Sequence, residues 1–565
     1  MGNKLMGIRS KAGHWVRREF QDSTQLAAMI HKISRNYDYI IVGAGAAGAA
    51  VAGRLSEDKD LSILLIEAGR HERHPRFLLP VLTSHALKSA ATRVFHTEPE
   101  PALQRRRLEW PRGVGLGGST LVNGMLWVRG DAAEYDNWDR MGCKGWGYRD
   151  VLPFFRRSEA DACGSPDTRG RDGAIQVTRR HPRDPLTDAF LSSCSSQGVP
   201  LLEDYNEGVF DGAAYLQFNL HRGLRHGADR AYLAAARRRS NLTILQGALA
   251  SRVLLEGRRA VGVEFLTKQG LKQAKASREV ILCCGALQTP QLLELSGIGA
   301  HDVLARQGIA TVIHLPGVGE NLRDHLNSRL GFKSTFNGTL NQVQHQFRWK
   351  ARAAWSWLRH RGGPLSMVGA TAHALLRTRP CLARPDAKVQ LLHYSADPTN
   401  GNLVTALDTE SGFSISNFVL RPQSTGSCHI ASKDFAVPPT VRANYLTHPE
   451  DVITTVHALR MIYKLVRSQA LSPWLRADAQ EDMSEASDET LLQWVRDTGA
   501  SSYHPIGTCK MGVDSMSVVG PHLRVHGVDG LRIADASIMP TMPSSNTQAP
   551  CVMIGEKLAY LLMSG

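Results

Sequence analysis

No run of eighteen or more apolar residues occurs among the 565 positions of this chain, which argues against a membrane-spanning helix. The residues before Asn36 also lack the continuous apolar core of a secretory signal, so residence in the cytoplasm, or in the mitochondrion of a eukaryotic cell, is expected. Cysteine is scarce and poorly spaced for bridges or metals: there are nine, with Cys283 and Cys284 adjacent, and none forms a CxxC pair. That pattern argues against a disulfide framework, and reduced thiols with no metal site are expected. Acid is the remaining shortage, since Asp and Glu number 52 against 67 Lys and Arg, a net charge of +15. Such an excess invites a nucleic-acid partner, yet the arginines are scattered through Arg105 to Arg107, Arg237 to Arg239 and many single sites. No nucleic-acid-binding motif accompanies them, so the charge reads as a solvated surface.

At this length, with 42% apolar residues, the chain can bury two cores rather than one. Its most informative segment runs from Asn36 to Gly69. Tyr37-Asp38-Tyr39-Ile40-Ile41-Val42 reads as a strand, Gly43-Ala44-Gly45-Ala46-Ala47-Gly48 as a tight turn into a helix, and Leu61 to Ile66 as a second strand closed by Glu67. In a dinucleotide fingerprint Gly43 permits the turn, Gly45 lets backbone approach a pyrophosphate, and Gly48 lets helix pack on strand. Glu67 would accept hydrogen bonds from ribose hydroxyls, and its charge disfavours a 2′-phosphate. FAD and NAD both remain open on this unit. The irregular stretch after Ala68-Gly69-Arg70 favours FAD over the prompt βαβ continuation of a nicotinamide enzyme.

Two basic segments stand out. Residues 1–35 carry Lys4, Arg9, Lys11, Arg17, Arg18, Lys32 and Arg35 with Trp15 and Phe20 interspersed, as a membrane-surface helix, a presequence or a disordered arm would. Between Phe347 and Arg361, Phe347, Ala351, Ala354, Trp355 and Leu358 fall at helical spacing with basic residues on the other faces. A helix packed on its own domain is the favoured reading there, and membrane docking the second.

A further glycine cluster, Arg112-Gly113-Val114-Gly115-Leu116-Gly117-Gly118-Ser119-Thr120-Leu121-Val122-Asn123-Gly124, offers bare amides that can cradle an anion or lie against a ring. It resembles the first signature of the glucose-methanol-choline (GMC) oxidoreductases, and Gly285-Ala286-Leu287-Gln288-Thr289-Pro290 onward to Gly299 resembles the second. Three more phrases match in order: Leu315 to His325, Tyr503-His504-Pro505-Ile506-Gly507-Thr508, and Gly530 to Ser537. The resemblance runs from about Tyr37 onward.

It implies an α/β fold: a Rossmann-like FAD-binding domain assembled from non-contiguous segments, with an α+β substrate domain carrying an antiparallel sheet. The expected division is a basic extension over 1–35, the FAD domain over 36–160, 215–325 and 498–565, and the substrate domain over 161–214 and 326–497. Implied cofactor contacts are Gly43, Gly45, Gly48, Glu67, Gly117, Gly118, Ser119, Asn123, Gly124, Met125, Val253, Asp535, Ala536, Thr547 and Gln548. Val122 occupies the position where some members carry a flavin-linking histidine, so FAD is expected to bind non-covalently.

The resemblance also singles out one of twenty-two histidines. His504, followed by Pro505, matches the family's catalytic histidine, and Asn546 its partner position. A neutral histidine suits proton abstraction from an alcohol as hydride leaves for flavin N5, whereas Asn546 can hydrogen-bond but not titrate. The expected reaction is oxidation of an aliphatic or other primary alcohol to the aldehyde, by a dehydrogenase rather than an oxidase. Oxidation of choline is the alternative, and a flavin-containing hydroxynitrile lyase the alternative from another class. A photodecarboxylase is disfavoured by Leu420, where that branch carries cysteine. Quinone as electron acceptor and peripheral attachment to the inner face of a membrane are suggested by charge alone.

Overall fold

Tyr39 to Val42 is apolar on both faces of a strand, a pattern suited to burial on both sides. In the computed structural model it lies in the parallel part of a mixed seven-stranded sheet. The structure describes residues 36–179, 183–397, 407–476 and 483–564; the basic extension 1–35 lies outside them. Asn36–Val42 pairs on one side with Ile63–Glu67, and beyond that lies Leu242–Gln246. On the other side it meets Gly270–Leu282, whose far end also takes Leu531–Ile533, all in parallel. The near half of Gly270–Leu282 instead pairs antiparallel with Arg259–Thr267, which leads on to Leu249–Glu256. One sheet therefore draws strands from residue 36 to residue 533.

The helix Ala46–Leu55 covers this sheet, and its small residues let a second helix, Gln548–Met563, pack close. A Cβ on Gly555 would stand 2.6 Å from the Ala47 carbonyl oxygen, so only glycine admits that approach. Arg54 clamps the pair, donating from Nε to Glu556 Oε2 at 2.9 Å, and the Tyr232 hydroxyl donates to Glu556 Oε1 at 2.7 Å.

A second sheet is antiparallel throughout. Its order is Ala500–Ser501, Leu326–Lys333, Gly412–Val419, Ala387–Leu392, Ala370–Leu376 and Gly212–Tyr215. Strand alternation divides its faces. Leu330, Phe332, Val389, Leu391, Phe413 and Ile415 pack with Leu459 and Ile462 of the helix Pro449–Val466. The register aligns Arg329, Ser416 and Gln390 in one row on the opposite face, toward a cavity of about 820 Å3 bounded by both sheets.

Candidate active site

At one end of the cavity the two glycine clusters meet. Gly43, at φ +98°, turns the chain beneath Cys283, whose carbonyl oxygen would lie 2.4 Å from a Cβ there. Gly118, at φ +52°, presses on Gly45, with a Cβ-to-Cα separation of only 2.8 Å. Gly45 differs: a Cβ on it meets no protein atom nearer than 4.0 Å, so its bare face opens into the cavity. Glu67 lines the same end, its carboxylate accepting the Ala44 and Gly69 N–H groups at 2.9 Å each. Burial pushes this carboxyl above the usual range, and those backbone donors pull it back.

Further along the cavity, the Asn123 amide donates to Gln548 Oε1 at 2.5 Å and accepts from Arg225 at 2.8 Å, which fixes the loop Ser119 to Met125 along the cavity wall. Asp535 accepts from Gly285 N–H at 2.9 Å, the Thr289 hydroxyl at 2.6 Å and Ser537 N–H at 2.8 Å, tying the wall formed by Asp535 and Ala536 to the second signature. Gln548 Nε2 and Arg112 Nε and Nη2 are buried there without a protein partner, and both residues line the cavity. Unsatisfied buried donors of this kind suit the acceptor-rich edge of an isoalloxazine ring. Thr547, Gly124 and the aliphatic Val122 complete this part of the wall.

Three expected cofactor residues do not line the cavity. Gly48 packs helix on strand, since a Cβ would stand 2.0 Å from the Gly43 carbonyl oxygen, and Gly117 donates its N–H to the Ala44 carbonyl at 2.8 Å. Val253 also stands away from the cavity. Its side chain is in the core and its N–H donates to Ser296 Oγ at 2.8 Å, whereas Ala250, three residues earlier on the same strand, lines the cavity.

At the opposite end His504 is held through its backbone. The buried Asp324 carboxylate accepts His504 N–H at 2.7 Å and the Tyr445 and Ser501 hydroxyls. Tyr503 adopts φ +65°, an uncommon conformation for an aromatic residue, and its carbonyl accepts from Arg112 Nη1 at 3.0 Å.

Two chains of donors and acceptors then fix the His504 tautomer from opposite sides. On the first, His325 Nε2 lies 3.1 Å from the Leu420 carbonyl, which can only accept, so that nitrogen carries the proton. His325 Nδ1 is then a lone pair, and His504 Nδ1, 3.0 Å away, must donate to it. On the second, Lys388 Nζ donates to Asn546 Oδ1 at 2.9 Å, turning the Asn546 amide nitrogen toward His504 Nε2 at 3.0 Å. Both make His504 Nε2 the acceptor nitrogen, its lone pair taking the Asn546 N–H. Burial and the charges of Lys388 and Arg112 hold the His504 pKa well below the ordinary histidine value, and burial brings Lys388 down to about 7 and His325 down to about 3.

His504 and Asn546 are thus brought together as expected, while His325 and Lys388 were not singled out beforehand. The available signals were His325 closing the Leu315 to His325 phrase, and a lysine inside the buried strand Ala387–Leu392.

Comparison with known proteins gives a consistent pattern. GMC oxidoreductase family models match residues 37–327 and 422–555. Choline dehydrogenase, mitochondrial, from Homo sapiens is 37% identical over 540 residues, covering 93% of this chain and 89% of the relative. Oxygen-dependent choline dehydrogenase from Vibrio vulnificus is 36% identical over 540 residues, covering 94% and 95%. Among solved structures, pyridoxine 4-oxidase from Mesorbium loti superposes with a TM-score of 0.85 at 28% identity, covering 94% of this chain and all of that one. Formate oxidase from Aspergillus oryzae gives 0.86 at 26%, covering 94% and 98%.

Proposed function

The chain belongs to the GMC oxidoreductase family, an FAD-dependent oxidoreductase acting on CH–OH groups, and from that premise we propose that it oxidises a primary alcohol to the aldehyde with His504 as base. The observation that carries this reading is the His504 Nε2 lone pair, fixed by His325 and by Lys388 through Asn546. An alcohol hydroxyl entering between the two residues takes the place of the Asn546 N–H on the His504 Nε2 lone pair, and the amide then donates to the alcohol oxygen. As the proton moves to Nε2, Lys388 behind the Asn546 carbonyl polarises the amide toward the developing negative charge. Gly45, Gly118, Asn123 and Gln548 would hold FAD, which when bound supplies the hydride acceptor.

The relatives' names favour choline, and the cavity favours an uncharged aliphatic alcohol. A quaternary ammonium needs a carboxylate or open aromatic faces. Among the described lining residues the only acids are Glu67 and Asp535, both bonded to backbone amides at the cofactor end. Two aromatic faces at the substrate end already carry cations of the chain: Arg329 lies 5.1 Å from the Tyr394 ring centroid and Lys388 5.6 Å from that of Phe418. Leu340, Val343, Leu365, Met367, Val368 and Leu392 supply apolar wall.

The test is anaerobic mixing of the flavin-loaded protein with choline and with short and long alkanols, following loss of oxidised-flavin absorbance. Bleaching by alkanols and not by choline is the expected result; bleaching by choline alone would replace the aliphatic reading with the choline one. Release of cyanide from a cyanohydrin without bleaching would point to a lyase. Electron delivery to a quinone, by a dehydrogenase on the inner face of a membrane, belongs to the same proposal. Among the described residues no helix is long and apolar enough to cross a membrane.

A further inference from the structure

The helix Phe347–His360 presents its apolar stripe outward. Phe347 is 85% exposed, Trp355 66% and Leu358 63%, and Ala351 and Ala354 between them are exposed too, while Ala353 is the buried residue on the opposite side. The expectation that this stripe packs on its own domain is therefore corrected. Arg348, Lys350, Arg352, Arg359 and Arg361 surround the stripe, the segment contains no acid, and none of the five forms an ion pair among the described residues. Several guanidinium groups lie instead on inward-turned tryptophans: Arg361 is 4.2 Å from the Trp357 ring centroid and Arg352 5.4 Å from that of Trp349. These stacked positions keep the basic rim close to the helix while the stripe stands clear.

The helix also borders the cavity. Gln344 and Lys350 are both exposed and lining, and Leu340, Val343, Leu365 and Met367, on either side of the helix in the chain, continue the wall inward. A surface seated on the stripe would therefore lie against an apolar opening into the cavity.

We propose that the helix Phe347–His360 docks the enzyme on an anionic phospholipid surface, so that an alkanol dissolved in the bilayer enters the cavity beside Lys350. The inference rests on the alcohol-oxidation reading for the identity of what enters, and on the helix alone for docking. Large apolar side chains bordered by uncompensated cations on one helix are the pattern of an interfacial segment, and its charge complements anionic headgroups.

Docking is tested without any substrate, by sedimenting the full-length holoenzyme with vesicles of phosphatidylglycerol and phosphatidylcholine, or of phosphatidylcholine alone. The expected result is capture by the anionic vesicles only, weakened at least ~10-fold in the double variant Phe347→Asp, Leu358→Asp. Bleaching by a short water-soluble alkanol in free solution remains unchanged in that variant, which reports an intact fold and site. Bleaching by a long alkanol presented in anionic vesicles falls with capture. Wild-type protein left in the supernatant, or capture indifferent to the variant, overturns the proposal. So does a concentration-dependent self-association that the variant abolishes while vesicles capture nothing, since the stripe would then face a second copy of this chain. If no alcohol bleaches the flavin, the functional reading fails while the docking result stands.

Discussion

The two ends of the cavity are built from different materials. The cofactor end is largely made by what is absent: glycines leave backbone and empty space, and the charged groups Glu67 and Asp535 are occupied with main-chain amides. The substrate end is made by side chains, with His504, His325, Asn546 and Lys388 arriving from four separate stretches of chain and touching only through their tips. The difference teaches that added atoms should disable the first end and removed atoms the second.

The largest expected effect tests the first half of that contrast. Gly45→Val directs new atoms into space free of protein out to 4.0 Å, so the protein folds yet loses its flavin. It should melt where flavin-stripped wild type melts and lack oxidised-flavin absorbance; retention of full yellow colour would break the comparison. His504→Ala is the converse. Flavin stays bound and alcohol-driven bleaching slows by ~10^3-fold, within the range for a positioned general base, as stopped-flow absorbance would record.

Lys388→Met probes one layer deeper, with an expected slowing of ~10-fold, below the ~10^2–10^3-fold of a direct oxyanion donor because Lys388 acts through Asn546. The pH profile separates this from a structural defect. Below about 7 Lys388 is charged and polarises the Asn546 amide, and above it that charge is lost. The wild-type bleaching rate therefore falls toward that of the variant as pH rises through 7, and the variant lacks that step.

The smallest effect lies away from both ends. His429 Nδ1 sits 2.7 Å from Glu294 and Nε2 3.0 Å from Glu320, and these carboxylates raise its pKa to about 9 despite burial. A raised folded-state value means the stabilisation is complete below the unfolded value of about 6.5 and disappears as pH rises through about 9. That contribution is up to ~3 kcal/mol, so wild-type Tm should fall across this window more than that of His429→Gln.

The same contrast explains what the sequence discloses. Gly43, Gly45 and Gly118 are legible because backbone geometry demands glycine at fixed short spacing, and the five family phrases follow local chain turns. Lys388 stays hidden because its meaning depends on Asn546, 158 residues away. Val253 shows how fine the distinction is, since an offset of three residues along one strand separates a core position from the lining Ala250. The helix Phe347–His360 shows a third limit. Its periodicity reveals an apolar stripe but not whether the stripe faces protein or solvent, since a periodicity defines an axis without a sign.

The clamp between Arg54 and Glu556 joins residues 502 positions apart, and Leu531–Ile533 completes the sheet begun at Asn36. On the ribosome, the first glycine turn emerges long before the strand and helix that close over it. At typical elongation rates of ~5–20 residues per second, the nascent fingerprint waits ~25–100 s for its far partners. Through that interval its apolar helix and strand edges stay open, so a site able to hold flavin forms only after residues 531–556 have emerged.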